Sequence, residues 1–142
     1  MQQLPPSTVQ DILCYSEVEY PFEAYGVVVR SQNGDIALLP GEDNTQQNSY
    51  TMSAHLILKA RRQGEIIAFY HSHPNGCASP SAADLATMTL DDRPSWPGVS
   101  WLILSVYGGR CVDIRSYVWN AELARFNQGK VKFDDSCTGG QT

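Results

Sequence analysis

The short apolar run Ile66–Tyr70 constrains the fold of this chain more than any other feature. It is rich in β-branched and aromatic residues, so it predicts a central buried strand that leads directly into His71. The sequences on both sides favour helices. Residues 53–62 begin with a serine that can cap a helix and are followed by a helix-stopping glycine, and a second capped helix is expected over 81–90. The buried strand is therefore expected to lie between two helices.

The rest of the chain is predicted to contain one further helix and four strands. These elements are a helix at 7–19, a β-hairpin of strands 24–29 and 35–39 around Asn33-Gly34, and an antiparallel pair of strands 99–106 and 111–118 around Gly108-Gly109. Residues 120–126 fit either a last short helix or an extension of the preceding strand. The order α-β-β-α-β-α-β-β predicts an α/β (α+β) sandwich with helices flanking one mixed central sheet.

Length and composition favour a single domain that needs no structural cross-link. A chain of 142 residues can bury an ordinary apolar core without disulfides or a structural metal, so a metal here would be free to be catalytic. We expect this domain to span 1–128 and the segment 129–142 to form a flexible tail. The four cysteines are widely spaced and form no C-x-x-C pair, so neither a zinc ribbon nor a dithiol redox motif is indicated.

Charge and hydropathy make two classes of partner improbable. The formal net charge is −5 and no basic run exceeds the pair Arg61-Arg62, which leaves no broad basic surface for nucleic acid. The N-terminal sequence lacks the basic residue and apolar run of a signal peptide, and no apolar stretch is long enough to span a bilayer. We therefore expect a cytoplasmic protein without nucleic-acid or membrane partners. The sequence does not predict the oligomeric state.

A histidine pair at the end of the central strand has the spacing of metal ligands. His71 and His73 are two residues apart, so their side chains leave the same face of the strand and can reach one ion. Asp84 follows in the first turn of the next predicted helix. Two nitrogens and one carboxylate oxygen form a common ligand set for catalytic Zn²⁺ and leave a fourth position for water. Hydrolysis also needs a proton-transfer group, and Glu23, at the start of the first strand, is the candidate.

Each of these residues, taken singly, also has a purely structural interpretation. A histidine pair at strand spacing is common on protein surfaces and in polar parts of a core. Ser81 and Asp84 form the S-x-x-D pattern of a helix capping box, which explains both residues without a metal. Glu23 alone fits a solvated charge at a strand edge. Taken singly, these residues therefore do not distinguish a metal site from a purely structural role.

Together, the residues form a longer pattern with fixed spacing. The segment His71-Ser72-His73-Pro74 is followed by six residues, then Ser81, two residues and Asp84. This arrangement resembles the signature of the JAMM (MPN-plus) metalloproteases, H-[ST]-H-P-x₆-S-x-x-D, at every fixed position. A chance match to so many positions is improbable.

Two upstream segments extend the resemblance. Pro21–Gly26 is similar to the P-x-E-x-x-G strand start of this family, and Asn44 and Tyr50 resemble its N…[FY] connection before the second helix. The resemblance covers about residues 7–118. It implies the MPN/JAB-type, cytidine-deaminase-like sandwich, which agrees with the element order predicted above.

The resemblance also implies a role for each residue of the pattern. His71, His73 and Asp84 would be the ligands of one Zn²⁺ ion per chain. Glu23 would be the general acid/base that activates a zinc-bound water, and Ser81 would donate a hydrogen bond to that water or to the developing oxyanion.

The activity implied is that of a zinc peptidase or isopeptidase acting at the C-terminal Gly-Gly tail of a ubiquitin-like or sulfur-carrier protein. Three alternatives stay open: a phage tail-assembly peptidase of the same family, a RadC-like protein, and a non-catalytic zinc-binding interaction module. The short connection 91–98 leaves little sequence for side-chain pockets, so we expect a narrow channel that passes only glycines. Because large aromatic residues usually belong to the core, Trp96, Trp101 and Trp119 are expected there rather than in a substrate groove.

Overall fold

The computed structural model describes residues 4–42 and 50–134 of the chain. Within these residues lie three helices, α1 (Pro6–Glu19), α2 (Ala54–Gln63) and α3 (Ala82–Met88). The strands of the same residues are β1 (Tyr25–Arg30), β2 (Ile36–Pro40), β3 (Glu65–Pro74), β4 (Thr89–Leu90), β5 (Arg93–Pro94), β6 (Ser100–Tyr107), β7 (Arg110–Asn120) and β8 (Arg125–Lys130). None of the described helices has the length and apolar character needed to cross a membrane.

Six strands form one mixed sheet in the order β2-β1-β3-β6-β7-β8. β3 runs parallel to β6, whereas the other neighbouring strands of this sheet are antiparallel. β3 therefore lies inside the sheet, with a hydrogen-bonded strand on each side, as its apolar sequence predicts. The mixed sheet and its flanking helices confirm the predicted α/β (α+β) sandwich.

The sheet separates two apolar cores, one on each face. On one face, Ile12 and Leu13 of α1 pack in a cluster with Tyr70. On the other face, Leu56 of α2 packs in a cluster with Phe69. Because side chains of a strand alternate between faces, the two histidines that follow Phe69 at intervals of two residues face the α2 side.

The predicted start and stop signals of α2 are present in the structure. Ser53 Oγ accepts a hydrogen bond from Leu56 N at 3.1 Å, which satisfies a backbone donor at the helix start. The helix ends at Gly64, where a Cβ would lie 2.2 Å from the backbone oxygen of Arg30. A glycine is therefore required where the end of α2 packs against the end of β1. In the β1–β2 turn, Gly34 has a positive φ of 90°, which suits glycine as the turn prediction requires.

The helix after β3 is shorter than the sequence predicts. It ends at Met88, whereas the prediction extended it to about residue 90. Thr89 and Leu90 instead form β4, which pairs with β5 in a separate two-stranded sheet. Thr89 and Leu90 therefore form strand hydrogen bonds with β5 instead of continuing α3.

The C-terminal part of the main sheet also differs from one of the predicted alternatives. Of the two interpretations of 120–126, the structure contradicts the short helix: β7 ends, the chain reverses through Ala124 at a φ of 52°, and β8 begins. Trp119 of β7 then packs edge-on against Phe126 of β8, with ring centroids 5.1 Å apart. This aromatic cross-strand pair stabilises β8 as a strand, whereas an isolated helical turn would lack such a contact.

β8 extends beyond the expected domain boundary. It includes residues 129 and 130, so the sheet continues past residue 128. After the strand, Val131 and Phe133 pack against the apolar core on the α1 side. The remainder of the expected tail, residues 135–142, lies outside the described residues.

Candidate metal centre

Pairing of β1 with β3 brings the side-chain carboxyl group of Glu23 to the histidine pair. β1 and β3 are antiparallel neighbours in which Tyr25 pairs with His71. Just before β1, Ala24 N donates a hydrogen bond to Ser72 Oγ at 2.8 Å, and Ser72 N donates to Ala24 O at 2.9 Å. These two bonds fix the backbone next to Glu23, although 48 residues separate Ala24 from Ser72 in the sequence.

The donor atoms of Glu23, His71 and His73 converge on a small volume. One ligand atom from each residue lies within 4.8 Å of the other two. Glu23 and His71 are buried, with exposed fractions of 4% and 1%, and His73 is half-buried. A carboxylate and two imidazoles in this arrangement can hold a metal ion.

Asp84 joins this cluster from the first turn of α3. Its Oδ2 lies 3.0 Å from His73 Nε2 and 3.2 Å from His71 Nε2. The same oxygen accepts a hydrogen bond from Ser81 N at 2.9 Å, while Asp84 N donates to Ser81 Oγ at 3.0 Å. These reciprocal bonds form the predicted capping box. The capping role of Asp84 and its position at the histidines therefore occur together.

The loop after β3 fixes the tautomer of His73. The Nδ1 atom lies 2.7 Å from the carbonyl oxygen of Cys77, and because a carbonyl oxygen only accepts, Nδ1 carries the proton. In the neutral ring, Nε2 then directs a lone pair at the carboxylate of Asp84. That arrangement is repulsive unless a proton or a metal ion lies between the two groups.

The surroundings of His71 favour a metal ion over a purely structural cluster. Its Nε2 is buried and forms no hydrogen bond within the described residues, although Asp84 Oδ2 lies 3.2 Å away. On the other side of the ring, Tyr50 Oη lies 3.4 Å from Nδ1, and the Tyr50 ring stacks on Tyr25. A buried nitrogen without a partner costs about 1–3 kcal/mol. A cation between the histidines and Asp84 would remove that cost, so the residues fit a metal.

Burial and close contacts set the charges of the cluster. Burial raises the pKa of Glu23 from 4.5 to about 7, although the attraction of His73 opposes the change. Burial also lowers the pKa of His71, despite its contact with Asp84. For His73 and Asp84, contacts outweigh burial: the pKa of His73 is raised, and the histidines hold the pKa of Asp84 well below its usual range. One carboxyl group thus exchanges its proton near neutral pH while the other stays ionised.

The structure places every predicted site residue at this centre and adds two contacts that the sequence analysis did not predict. Ser81 lies at the rim, where its hydroxyl oxygen takes part in the cap. These are the hydrogen bond that Ser72 Oγ accepts from Ala24 N and the contact of the Cys77 carbonyl with His73 Nδ1. Ser72 occupies the [ST] position of the histidine signature, but its partner Ala24 is far away in the sequence, and no local signal indicates the Cys77 carbonyl. Asn44 lies outside the described residues.

A cleft of about 410 Å³ opens beside the cluster. Glu23 and Asp84 line one part of it. Phe69 and Trp101, both buried in the sheet, and the half-buried Trp96 line another part. The cleft therefore joins the charged cluster to an apolar, aromatic wall.

This cleft corrects the expectation of a channel without side-chain pockets. The short connection 91–98 is sufficient, because it contributes Trp96 to a wall that the sheet and α2 complete. Of the three tryptophans, Trp96 and Trp101 line the cleft, and Trp101 is at the same time a core residue. Trp119 packs on Phe126 as described above.

A comparison with protein families agrees with this geometry. The sequence profile of the prokaryotic homologues of the JAB domain matches residues 5–119, most of the chain and all of the cluster. The chain belongs to this family. Membership in the prokaryotic JAB family confirms the resemblance drawn from the histidine pattern. No curated protein matches the chain.

Two solved structures resemble this JAB domain in fold. A solution structure of a protein from Salinibacter ruber has a TM-score of 0.58 and 22% sequence identity, covering 95% of this chain and 92% of that chain. A solution structure of a protein from Desulfitobacterium hafniense has a TM-score of 0.64 and 18% identity, covering 92% of this chain and 90% of that chain. At these identities the likeness shows a shared fold.

Proposed function

We propose that the protein is a zinc-dependent peptidase or isopeptidase that cleaves at the C-terminal Gly-Gly tail of a ubiquitin-like or sulfur-carrier protein. The observation that carries this proposal is the buried carboxyl group of Glu23 beside the donor atoms of His71 and His73. Amide hydrolysis needs an electrophilic metal and a group that moves a proton from water to the leaving amine. The cluster has residues for both tasks.

His71, His73 and Asp84 are the proposed ligands. Two imidazole nitrogens with one carboxylate oxygen favour zinc over the hard cations that prefer all-oxygen sites. A bound zinc ion would act as a Lewis acid, polarising the scissile carbonyl and lowering the pKa of water at the site. One ion per chain is expected, because the three donor groups converge on one position.

Glu23 is proposed as the general acid and base rather than as a ligand. Its carboxyl group belongs to the same cluster, so proximity alone allows both roles. Asp84 Oδ2, however, lies within 3.2 Å of both histidine Nε2 atoms and can supply the third donor itself. Burial raises the pKa of Glu23 to about 7 in the metal-free cluster, and a bound cation would favour the carboxylate form. That carboxylate can accept a proton from the attacking water and return it to the amine.

Ser81 is proposed to stabilise the negative charge that develops on the substrate oxygen. Its Oγ accepts a hydrogen bond from Asp84 N, which fixes the hydroxyl at the rim of the cleft. A hydroxyl that accepts one bond still has its own proton to donate. Such a fixed donor favours the oxyanion without reorganisation during the reaction.

The burial of the cluster supports glycines on the acyl side of the scissile bond. Glu23 and His71 are almost inaccessible, so the carbonyl must approach closely and a neighbouring Cβ would obstruct it. A folded carrier body outside the site would supply binding energy remote from the reacting bond. The net charge of −5 favours a carrier surface with basic residues. The proposal places this reaction in the cytoplasm.

The roles of the site residues are tested by metal content and activity together. Protein purified without added metal should contain about one zinc per chain by elemental analysis. Glu23→Gln should keep its zinc and its circular dichroism spectrum but lose at least about 10²-fold in hydrolysis. Asp84→Ala should lose the zinc as well. Loss of zinc from Glu23→Gln would instead identify Glu23 as a ligand and contradict its assigned role.

The substrate is tested with three forms of one carrier: a small β-grasp protein with a Gly-Gly-extended tail, the same protein with Ala-Ala in the tail, and the isolated tail peptide. Only the first should be cleaved efficiently. Equal rates on all three would contradict the proposal and favour a broad peptidase or a tail-assembly role. A chelator should leave the domain folded but inactive, whereas unfolding on chelation would favour a non-catalytic zinc-binding module.

A further inference from the structure

The cleft beside the metal cluster is larger than a Gly-Gly tail requires. Its volume of about 410 Å³ lies in the range of small-molecule binding sites. Glycine has no side chain, so the acyl part of the proposed substrate does not fill this space. The group that fills it must belong to the other side of the scissile bond, the leaving amine.

The walls of the cleft away from the cluster are aromatic and aliphatic. The ring centroids of Phe69 and Trp101 are 4.8 Å apart, and Trp96 packs edge-on against Phe69 at 5.0 Å. Met52 and Ile57 line the cleft as well. Such walls favour a large apolar side chain, since a charged one would lose its hydration without gaining a partner.

The charges that line the cleft are confined to the cluster. In the described part of the chain, its lining residues with a charged side chain are Glu23 and Asp84, which belong to the proposed catalytic centre. Both are acidic, and the proposed chemistry engages both. Arg61 lies over the Trp96 ring, with its guanidinium carbon 5.6 Å from the ring centroid, but it does not line the cleft. A charged side chain of the leaving group would therefore find no opposite charge among the described residues that line the cleft.

The aromatic wall begins one side chain away from the proposed metal position. Phe69 and His71 lie on the same face of β3, two residues and so about 6.6 Å apart along the strand. Trp101 pairs with Phe69 across the β3–β6 ladder, which widens the same wall. A side chain that occupies the cleft therefore belongs to a residue next to the scissile bond.

We propose that the leaving group is the α-amine of a large apolar residue whose side chain occupies this cleft. The inference rests on the function proposed above. Water adds its oxygen to the carbonyl carbon of the terminal glycine, the C–N bond breaks, and the nitrogen leaves with a proton. The products are a carrier that ends in a Gly-Gly carboxylate and a free apolar amino acid or short peptide. The bond cleaved is a main-chain peptide bond, because the unbranched chain of an isopeptide-linked lysine leaves the aromatic wall largely uncovered.

The test measures how efficiently the zinc-loaded full chain releases different leaving groups from one carrier protein. The substrates are a β-grasp carrier protein ending in Gly-Gly-Phe, Gly-Gly-Asp or Gly-Gly-Gly, and the same carrier joined through Gly-Gly to the ε-amine of lysine. We expect kcat/KM for the phenylalanine substrate to exceed each of the others by at least about tenfold. Equal rates, or faster cleavage of the aspartate or lysine substrate, would overturn this inference and leave the proposed function standing. Failure to cleave any of them would overturn both.

Three variants link the preference to the cleft. Thr87→Phe fills the cleft from an exposed position of α3, and Trp96→Ala removes part of the wall. Both should lower kcat/KM for Gly-Gly-Phe more than for Gly-Gly-Gly. Trp119→Ala is the matched control, because it removes an equal side chain that packs on Phe126 instead, and it should keep the preference. A preference that survives both cleft variants would place the selective contact elsewhere and contradict the inference.

Product binding gives a readout that does not depend on turnover. L-phenylalanine should change the tryptophan fluorescence of the zinc-loaded protein, and L-aspartate at the same concentration should not. The response should disappear in Trp96→Ala and remain in Trp119→Ala. Equal responses to both amino acids would contradict an apolar leaving-group site.

Discussion

The buried carboxyl group of Glu23 should make the metal-free protein less stable at high pH. Burial raises its pKa from 4.5 to about 7, so between these values the folded chain binds a proton at Glu23 that the unfolded chain releases. Stability therefore falls as the pH rises through this window and levels off above about pH 7. Glu23→Gln removes the titrating group and keeps nearly the same shape.

The size of the effect follows from the same two values. The pKa of Glu23 rises from 4.5 to about 7, a difference of about 2.5. At about 1.36 kcal/mol for each pKa unit, this difference lowers the free energy of unfolding by about 3.4 kcal/mol at high pH. Relative to the wild type, the metal-free Gln variant should thus gain about 3 kcal/mol between pH 4 and pH 8. His73 and Asp84 titrate in both proteins, but the charge of Glu23 raises the pKa of His73, so the difference between the two curves reports Glu23 together with this coupling.

The measurement is urea unfolding of the chelated proteins at pH intervals from 4 to 8.5. Glu122→Gln is the control, since it removes the same side chain from an exposed turn. Restoring zinc should shrink the difference between wild type and Glu23→Gln, because a nearby cation favours the charged carboxylate. Parallel curves for the two metal-free proteins across the whole range would refute the argument that burial holds a proton on Glu23.

Two further predictions concern groups that position the cluster. Ser72→Ala leaves the buried N–H of Ala24 without its acceptor and should cost about 1–3 kcal/mol in urea unfolding, with a parallel loss of kcat; unchanged stability would show that the bond is dispensable. Tyr50→Phe removes the hydroxyl next to His71 Nδ1 and should weaken zinc binding about tenfold in a competition titration with a chelator, and an unchanged affinity would separate Tyr50 from metal binding.

Local signals explain why much of the fold could be predicted. Ser53 and Gly64 mark the two ends of α2 through hydrogen bonds to residues three or four positions away. Gly34 provides the positive φ in the β1–β2 turn. The apolar run before His71 needed only its composition to be assigned to an internal strand. The alternation of side chains along that strand then placed both histidines on one face.

Features that depend on distant parts of the chain were not predictable in this way. β8, with the sequence RFNQGK, contains one apolar side chain and no alternating pattern, so its pairing with β7 determines its conformation. The contact between Ala24 and Ser72 depends on the register of two strands far apart in sequence. The cleft was missed for the same reason, because Trp96 and Ile57 come together only through the packing of separate elements around the sheet.

The position of Asp84 connects helix formation with preparation of the metal site. Its Oδ2 accepts the Ser81 N–H that starts α3 and also lies at both histidine Nε2 atoms. Formation of the first helical turn therefore places the carboxylate at the histidines before any metal arrives. The site then holds an ionised Asp84 and a neutral His71, while the raised pKa of His73 favours a proton that a metal ion must displace. Above about pH 7 an ionised Glu23 adds a second carboxylate, and the two carboxylates repel each other. A divalent cation relieves that repulsion with little further ordering of side chains, which is the condition for tight binding by a preorganised site.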